Sequence, residues 1–208
     1  MINLAILISG RGSNMKSILS SITSGEIKNV NPRVVISNNR DAAGLSIASK
    51  EYDIPTSLIL PNGKKGWDYD KHLDSVLNLH GVLPSDGLIC LAGYMKIISS
   101  EFVNKYKFRI MNIHPALLPS FKGLHAQKQA LDYGVKITGC TVHFVDEGVD
   151  SGPIILQEPV KIYSKDTENE ISKRILELEH KLYPKAIKLF AENKLKIVGR
   201  KVIVTNDE

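Results

Sequence analysis

The stretch RIMNIHPALLPSFKG, residues 109–123, carries an asparagine and a histidine two positions apart in an otherwise apolar strand. Asn112 and His114 share strand parity, so both side chains leave the same side of the chain. A buried strand has little use for a carboxamide and an imidazole at that spacing. Asp150, in DEGVDSGP, lies in the turn after the next strand, which can fold back over the end of the first. A carboxylate beside an imidazole favours its protonated form. A carboxamide beside a cationic histidine offers two donors to a developing oxyanion. Such a set suits acyl transfer to an external amine with no covalent enzyme intermediate. No serine or cysteine stands as an obvious nucleophile, and no HExxH or paired cysteine supplies a metal site. Each residue also has an ordinary explanation. A strand-end histidine is more often structural, Asn112 could satisfy a turn, and Asp150 in DSG could be a turn residue. His125 opens a helix and His143 sits mid-strand, so both are ambiguous additions. The residues alone leave these alternatives open.

A second candidate site is SGRGSN, from Ser9 to Asn14. Gly10 and Gly12 allow a tight turn and close backbone approach, and a helix N-terminus follows, with free N–H groups and a positive dipole end that suit phosphate. Ser13 and Asn14 can add side-chain donors. The dinucleotide pattern GxGxxG fails at Met15, and Ser37 and Asn38 stand where an acidic residue would close the second strand. No GK[ST] follows, which excludes a Walker A loop. A glycine-rich turn with an asparagine cap is the plain alternative; the position after the first strand tips the balance toward monophosphate binding.

The elements that must position these residues alternate. Strands are expected at 3–9, 33–37, 56–60, 86–93 and within 109–114, with helices at 14–24, 41–52, 67–81 and 99–106. That rhythm argues for an α/β fold with a doubly wound, mostly parallel sheet. A helix over 124–134 ends at Gly134. Then KITGCTVHFVD and GPIILQEPVKI read as two strands with no long helix between them, antiparallel C-terminal additions to the sheet. Thr167 and Glu170 form a capping box, opening a long helix that Pro184 should kink or break. LKIVGRKVIV closes as a hairpin around Gly199. With no repeat, low-complexity tract or linker, residues 1–208 read as a single domain. In such sheets ligands bind beyond the carboxyl ends of the strands at the topological switch point, here the first, fourth and fifth strand ends.

The 208 residues are 43% hydrophobic and 24% charged, enough for a substantial core. The formal charge of +5 is scattered. It suits small anions and forms no basic block for nucleic acid. No run reaches the roughly 18 apolar residues of a membrane span, and the N-terminus lacks a basic segment of the secretory kind. Cys90 and Cys140 lie in apolar runs and read as reduced core thiols. The cytoplasm is the expected compartment.

ISGRGSN, LAGYMKIIS, MNIHPALLPSFKGLHAQKQAL, GCTVHFVDEGVDSGPIILQ and EHKLYP occur in that order. Together they are highly specific, and from Ile2 to about Lys196 the chain resembles the phosphoribosylglycinamide formyltransferase family of purine biosynthesis. The resemblance implies a formyltransferase-like fold and transfer of a formyl group from 10-formyltetrahydrofolate, as co-substrate, to the amine of glycinamide ribonucleotide. It implies no metal, no nucleic acid or membrane partner, and leaves room for a homodimer. By position, Asn112, His114 and Asp150 match the family's catalytic trio. Gly12, Ser13 and Asn14 match its phosphate loop, and Glu179 a ribonucleotide contact. Met95, Lys96, Ile97 and Ile98 match the segment that cradles the folate pterin, with Asn112 beside it; His125 is a neighbour of the site. Two departures stand out. Gly66 occupies the position of a frequent folate-contacting Arg, with Lys64 and Lys65 nearby, and Lys96 replaces another frequent Arg, keeping charge but losing the planar fork.

Three rivals share parts of this pattern. Methionyl-tRNA formyltransferase would add a C-terminal tRNA-binding domain, for which a chain ending at Glu208 leaves no room. Formyltetrahydrofolate deformylase would add an N-terminal regulatory domain, whereas the first strand here begins at residue 3. A non-catalytic phosphate- or folate-binding module would not need Asn112, His114 and Asp150 intact.

Overall fold

The computed structural model describes residues 1–205. Its main sheet has seven strands in the order β3-β2-β1-β4-β5-β6-β7. In chain order the elements are β1 (Ile2–Ile8), α1 (Ser13–Thr23), β2 (Val30–Ser37), α2 (Ala43–Tyr52), β3 (Thr56–Leu58), α3 (Trp67–Leu79), β4 (Gly87–Leu91), α4 (Ser100–Lys105), β5 (Ile110–His114), α5 (Ala126–Tyr133), β6 (Ile137–Phe144), β7 (Ile154–Lys161) and α6 (Glu168–Ala191), followed by β8 (Leu195–Val198) and β9 (Lys201–Val204). The strands from β3 to β5 pair in parallel; β5–β6 and β6–β7 are antiparallel. The expected mixed α/β sheet is therefore present, and its topological switch falls between β1 and β4.

Strand alternation sorts the core into two faces. In β1, Leu4, Ile6 and Ile8 join Met15, Ile18 and Leu19 of α1 and Ile171, Ile175 and Ile187 of α6. Ala5 and Leu7 join Leu73 and Leu77 of α3 and Phe102 and Val103 of α4. Both faces of the central strands are covered, which is why they read as unbroken apolar runs. In β5, Met111 and Ile113 belong to the α1/α6 face and Ile110 to the α3/α4 face. Asn112 and His114 share the parity of Ile110, so they face the side where α4, only six residues long, leaves the sheet end uncovered.

Several expected details shift. The third strand is three residues, not five. The capping box at Thr167 and Glu170 is formed. Pro184, however, does not break the last helix, which runs unbroken from Glu168 to Ala191 with Pro184 buried inside it. The missing N–H leaves one carbonyl without its helical partner, and burial against the sheet outweighs that local loss. The terminal hairpin turns at Gly199 as read, but pairs as a separate two-stranded sheet. Cys90 and Cys140 are free and buried, and burial pushes both thiols up to about 12.

Candidate active site

Asn112 and His114 end β5 and meet β6 in antiparallel register, Asn112 opposite His143 and His114 opposite Thr141. A register shift between Val142 and His143 marks the pairing of β6 with β7. Such bulges re-aim side chains near sites. Asp150 comes from the turn between β6 and β7, at φ 46°, a left-handed conformation that aspartate tolerates better than most residues.

The carboxylate is the hub. Asp150 Oδ2 lies 3.2 Å from His114 Nδ1 and accepts the Gly123 backbone N–H at 2.8 Å. Its Oδ1 accepts from Asn112 Nδ2 at 3.4 Å and stands 3.6 Å from His143 Nε2. Burial pushes the Asp150 carboxyl up, but contacts with His143 and Gly123 and the charges of the two histidines outweigh it, so the net direction is down. Asp150 therefore stays a carboxylate at neutral pH.

His114 Nε2 faces the Phe121 carbonyl at 2.8 Å. Each ring nitrogen thus looks at an acceptor, a geometry that two protons would satisfy. Burial opposes this and is the largest influence; the Phe121 carbonyl and Asp150 raise the proton affinity, His143 lowers it, and the net direction is down. The expected effect of Asp150 is present, since its charge raises the proton affinity of His114, but desolvation works against it more strongly.

Asn112 Nδ2 also lies 3.3 Å from His143 Nε2, while His143 Nδ1 lies 2.9 Å from the Phe144 carbonyl. A proton on Nδ1 serves that carbonyl and leaves Nε2 to accept from Asn112. His143 is buried and completes the group. Thr141, two residues earlier on the same face, donates to the Ala116 carbonyl at 2.7 Å and accepts from Leu118 N at 3.1 Å, pinning the turn after His114. The sequence singled out neither Thr141 nor Gly123. The alternation in GCTVHF was the available signal for Thr141; for Gly123, which acts through its backbone, there was none.

These groups close one end of a cavity of about 500 Å³, within the range of small-molecule sites. Residues 93–98 form a facing wall that includes Met95, Lys96, Ile97 and Ile98; the fifth predicted folate residue, Asn112, and His125, which caps α5, also line the cavity. Met95 and Ile97 are 69% and 78% exposed, an apolar rim over a polar floor. Lys96 folds back, its ammonium 4.3 Å from the centre of the Tyr69 ring. Gly66 caps α3 at φ 53°, and Lys64 Nζ donates to His72 Nε2 at 2.7 Å.

The predicted phosphate residues gather at the neighbouring strand end. Gly12 is the left-handed N-cap of α1 at φ 75°, and Ser13 and Asn14 form its first turn. The Asn14 amide donates to Glu179 Oε2 at 2.7 Å, joining residues 165 positions apart, and Asn14 Oδ1 is buried without a partner. Burial pushes the Glu179 carboxyl up to about 7, with the Asn14 contact opposing. Ser9 Oγ accepts the Met95 N–H at 2.8 Å, so the strand that leads into the glycine loop also holds the start of the cavity wall.

A family model described as formyl transferase matches residues 2–187. The chain is 38% identical over 195 residues to phosphoribosylglycinamide formyltransferase of Escherichia coli, covering 94% of this chain and 90% of that one. It is 44% identical over 206 residues to the trifunctional purine biosynthetic protein adenosine-3 of Bos taurus, covering 98% of this chain but spanning only 20% of that protein's length. Among solved structures, glycinamide ribonucleotide transformylase 1 of Symbiobacterium toebii is similar at a TM-score of 0.93 and 44% identity, over 99% of this chain and 95% of that one.

Proposed function

This chain belongs to the formyl transferase family, and we propose that it moves the formyl group of 10-formyltetrahydrofolate to the amine of glycinamide ribonucleotide. The observation that carries this reading is the convergence of Asn112, His114, His143 and Asp150 at the end of the cavity walled by residues 93–98. A folate head fits that cavity in kind, with apolar Met95 and Ile97 on the rim and backbone polar groups along the wall. The phosphate of the ribonucleotide sits at the N-terminus of α1, on the N–H groups of Gly12, Ser13 and Asn14, with Glu179 beside Asn14 as a further contact. That anchor orients the amine for attack.

In the reaction a carbon–nitrogen bond forms between the amine and the formyl carbon, the bond from that carbon to folate N10 breaks, and the proton lost by the amine ends on N10. Negative charge gathers on the formyl oxygen on the way. The Asn112 amide makes only long contacts at 3.3 and 3.4 Å, so turning an N–H toward that oxygen costs little. His114, held between Asp150 and the Phe121 carbonyl, stabilises that charge beside Asn112, with the Asp150 carboxylate compensating the imidazole. Asp150 then relays the amine's proton toward N10 through water. Buried, free Cys90 and Cys140 suit a reducing cytoplasm for this chemistry.

The test is an assay of the purified protein with both substrates. Formylated ribonucleotide formed in step with tetrahydrofolate supports the reading. Release of formate without any formylated ribonucleotide would replace it with a deformylase, and binding without turnover with a binding module.

A further inference from the structure

Residues 93–98 hold one wall of the cavity in an irregular conformation, with apolar side chains turned toward water. Such a wall keeps its shape only if something behind it is rigid. Behind it lie Tyr69 and Asp70, with no exposure at all, and Tyr94, 9% exposed. The Tyr69 hydroxyl donates to the Ile59 carbonyl at 2.8 Å and lies 3.0 Å from the Tyr94 hydroxyl. A phenol has a single proton, so Tyr94 must be the donor within that pair. The Tyr69 ring carries the Lys96 ammonium on its face, and the same ammonium donates to the Lys64 carbonyl at 3.3 Å. Asp70 Oδ2 accepts the Ser99 N–H at 2.7 Å, where Ser99 is the cap of α4. The wall is thus fastened at residues 94, 96 and 99 to two adjacent residues in the first turn of α3. No hydrogen bond or ion pair among the described residues joins Tyr69 or Asp70 to Asn112, His114 or Asp150.

We infer that Tyr69, Tyr94 and Asp70 are positioning residues for the formyl donor: a buried strut that sets the shape of residues 94–99 and thereby the affinity for the folate. The inference rests on the proposed transfer reaction and adds to it the residues that determine donor binding. A loop pre-organised in its binding shape loses less freedom when the ligand arrives, so loosening it weakens binding without touching the bond-making groups.

The order of effects follows from the proton count. Tyr94→Phe removes one hydroxyl and leaves Tyr69 bonded to Ile59. Tyr69→Phe does more, because the Ile59 carbonyl and the Tyr94 hydroxyl both lose their partner in a buried place. In the double variant the stranded Tyr94 hydroxyl is gone, so the double variant should bind the donor no worse than Tyr69→Phe alone. We expect KM for the donor to rise about threefold in Tyr94→Phe and about tenfold in Tyr69→Phe. Turnover and KM for the ribonucleotide should stay within about twofold. Calorimetric titration of each variant with tetrahydrofolate alone should reproduce the order, with melting temperatures taken on the same samples. Lowered melting temperatures with unchanged tetrahydrofolate affinity would overturn the inference, as would equal loss of affinity for both substrates. A wild type that binds tetrahydrofolate but formylates nothing would defeat the proposed reaction, while the titrations would still decide whether the strut shapes this wall.

Discussion

Two acceptors and one desolvated ring meet at His114, and the balance between them can be measured. The Asp150 carboxylate raises the proton affinity of His114, while burial lowers it further and sets the net direction. In Asp150→Asn the raising charge is gone, so the imidazole should titrate at a still lower pH than in the wild type. Nuclear magnetic resonance of the ring protons follows this directly, and an unchanged or raised titration point would contradict the pairing seen at 3.2 Å. Turnover should fall strongly in the same variant with little loss of stability, because asparagine keeps an oxygen acceptor for the Gly123 N–H and tolerates the left-handed φ of 46°. His114→Ala removes the donor itself. Loss of one oxyanion donor costs roughly 3 kcal/mol, about 100- to 1,000-fold in turnover, so kcat per folded molecule should drop far more than either KM rises. If His114 only packed the strand end, the melting temperature would fall and kcat would not.

At the scale of elements, the close approach of two backbones shapes the phosphate site. Gly12 stands at φ 75°, and a Cβ there would meet Gly44 Cα at 3.0 Å; a Cβ on Gly44 would meet Ile8 Cδ1 at 2.4 Å and Gly10 O at 3.2 Å. The glycine loop therefore nests against the start of α2. Gly44→Ala should press on this loop and cost about 1–3 kcal/mol as an overpacked contact, seen as a lower melting temperature. KM for the ribonucleotide should rise more than KM for the folate, and equal rises would mean general damage. Gly12→Val should be more severe, adding a disfavoured φ to the clash. Gly12 was legible in the sequence because SGRGSN follows the first strand; Gly44 was not, because its constraint comes from an element about thirty residues away. The same division holds at the catalytic end. Parity in MNIH correctly put Asn112 and His114 on one face. That His143 lies opposite Asn112 depends on the register of β6 returning antiparallel beside β5, which residue order does not encode. Pro184 misled in the other direction: a local helix rule was outweighed by packing along a 24-residue helix.

Across the whole molecule, the Asn14–Glu179 contact ties the first helix to the last and leaves a carboxyl buried with one hydrogen-bond partner, Asn14. EHKLYP pointed to Glu179 only through family resemblance, since a glutamate on a long amphipathic helix is ordinarily a solvated residue. Its burial has a signature in stability. The folded carboxyl holds its proton up to about 7, well above its ordinary 4.5. Between those values the folded state binds more protons than the unfolded chain, so this group's contribution to stability falls as pH rises from about 4.5 and levels off above about 7. His114 acts oppositely: its folded proton affinity is depressed, so its contribution is full above the unfolded value near 6.5 and is lost as pH falls from there through the lower folded value. Substitution separates the two. Glu179→Gln keeps the acceptor for Asn14 and removes the titration. It should lie within about 1 kcal/mol of the wild type near pH 5, where the folded Glu179 is still protonated, and exceed it at pH 8 by on the order of 3 kcal/mol. Denaturant unfolding of both proteins at the two pH values checks this. Equal stability differences at pH 5 and pH 8 would mean that Glu179 ionises freely in the fold. A gain confined to pH 8, accompanied by weaker ribonucleotide binding, would identify Glu179 as a residue held at a stability cost because the substrate needs it.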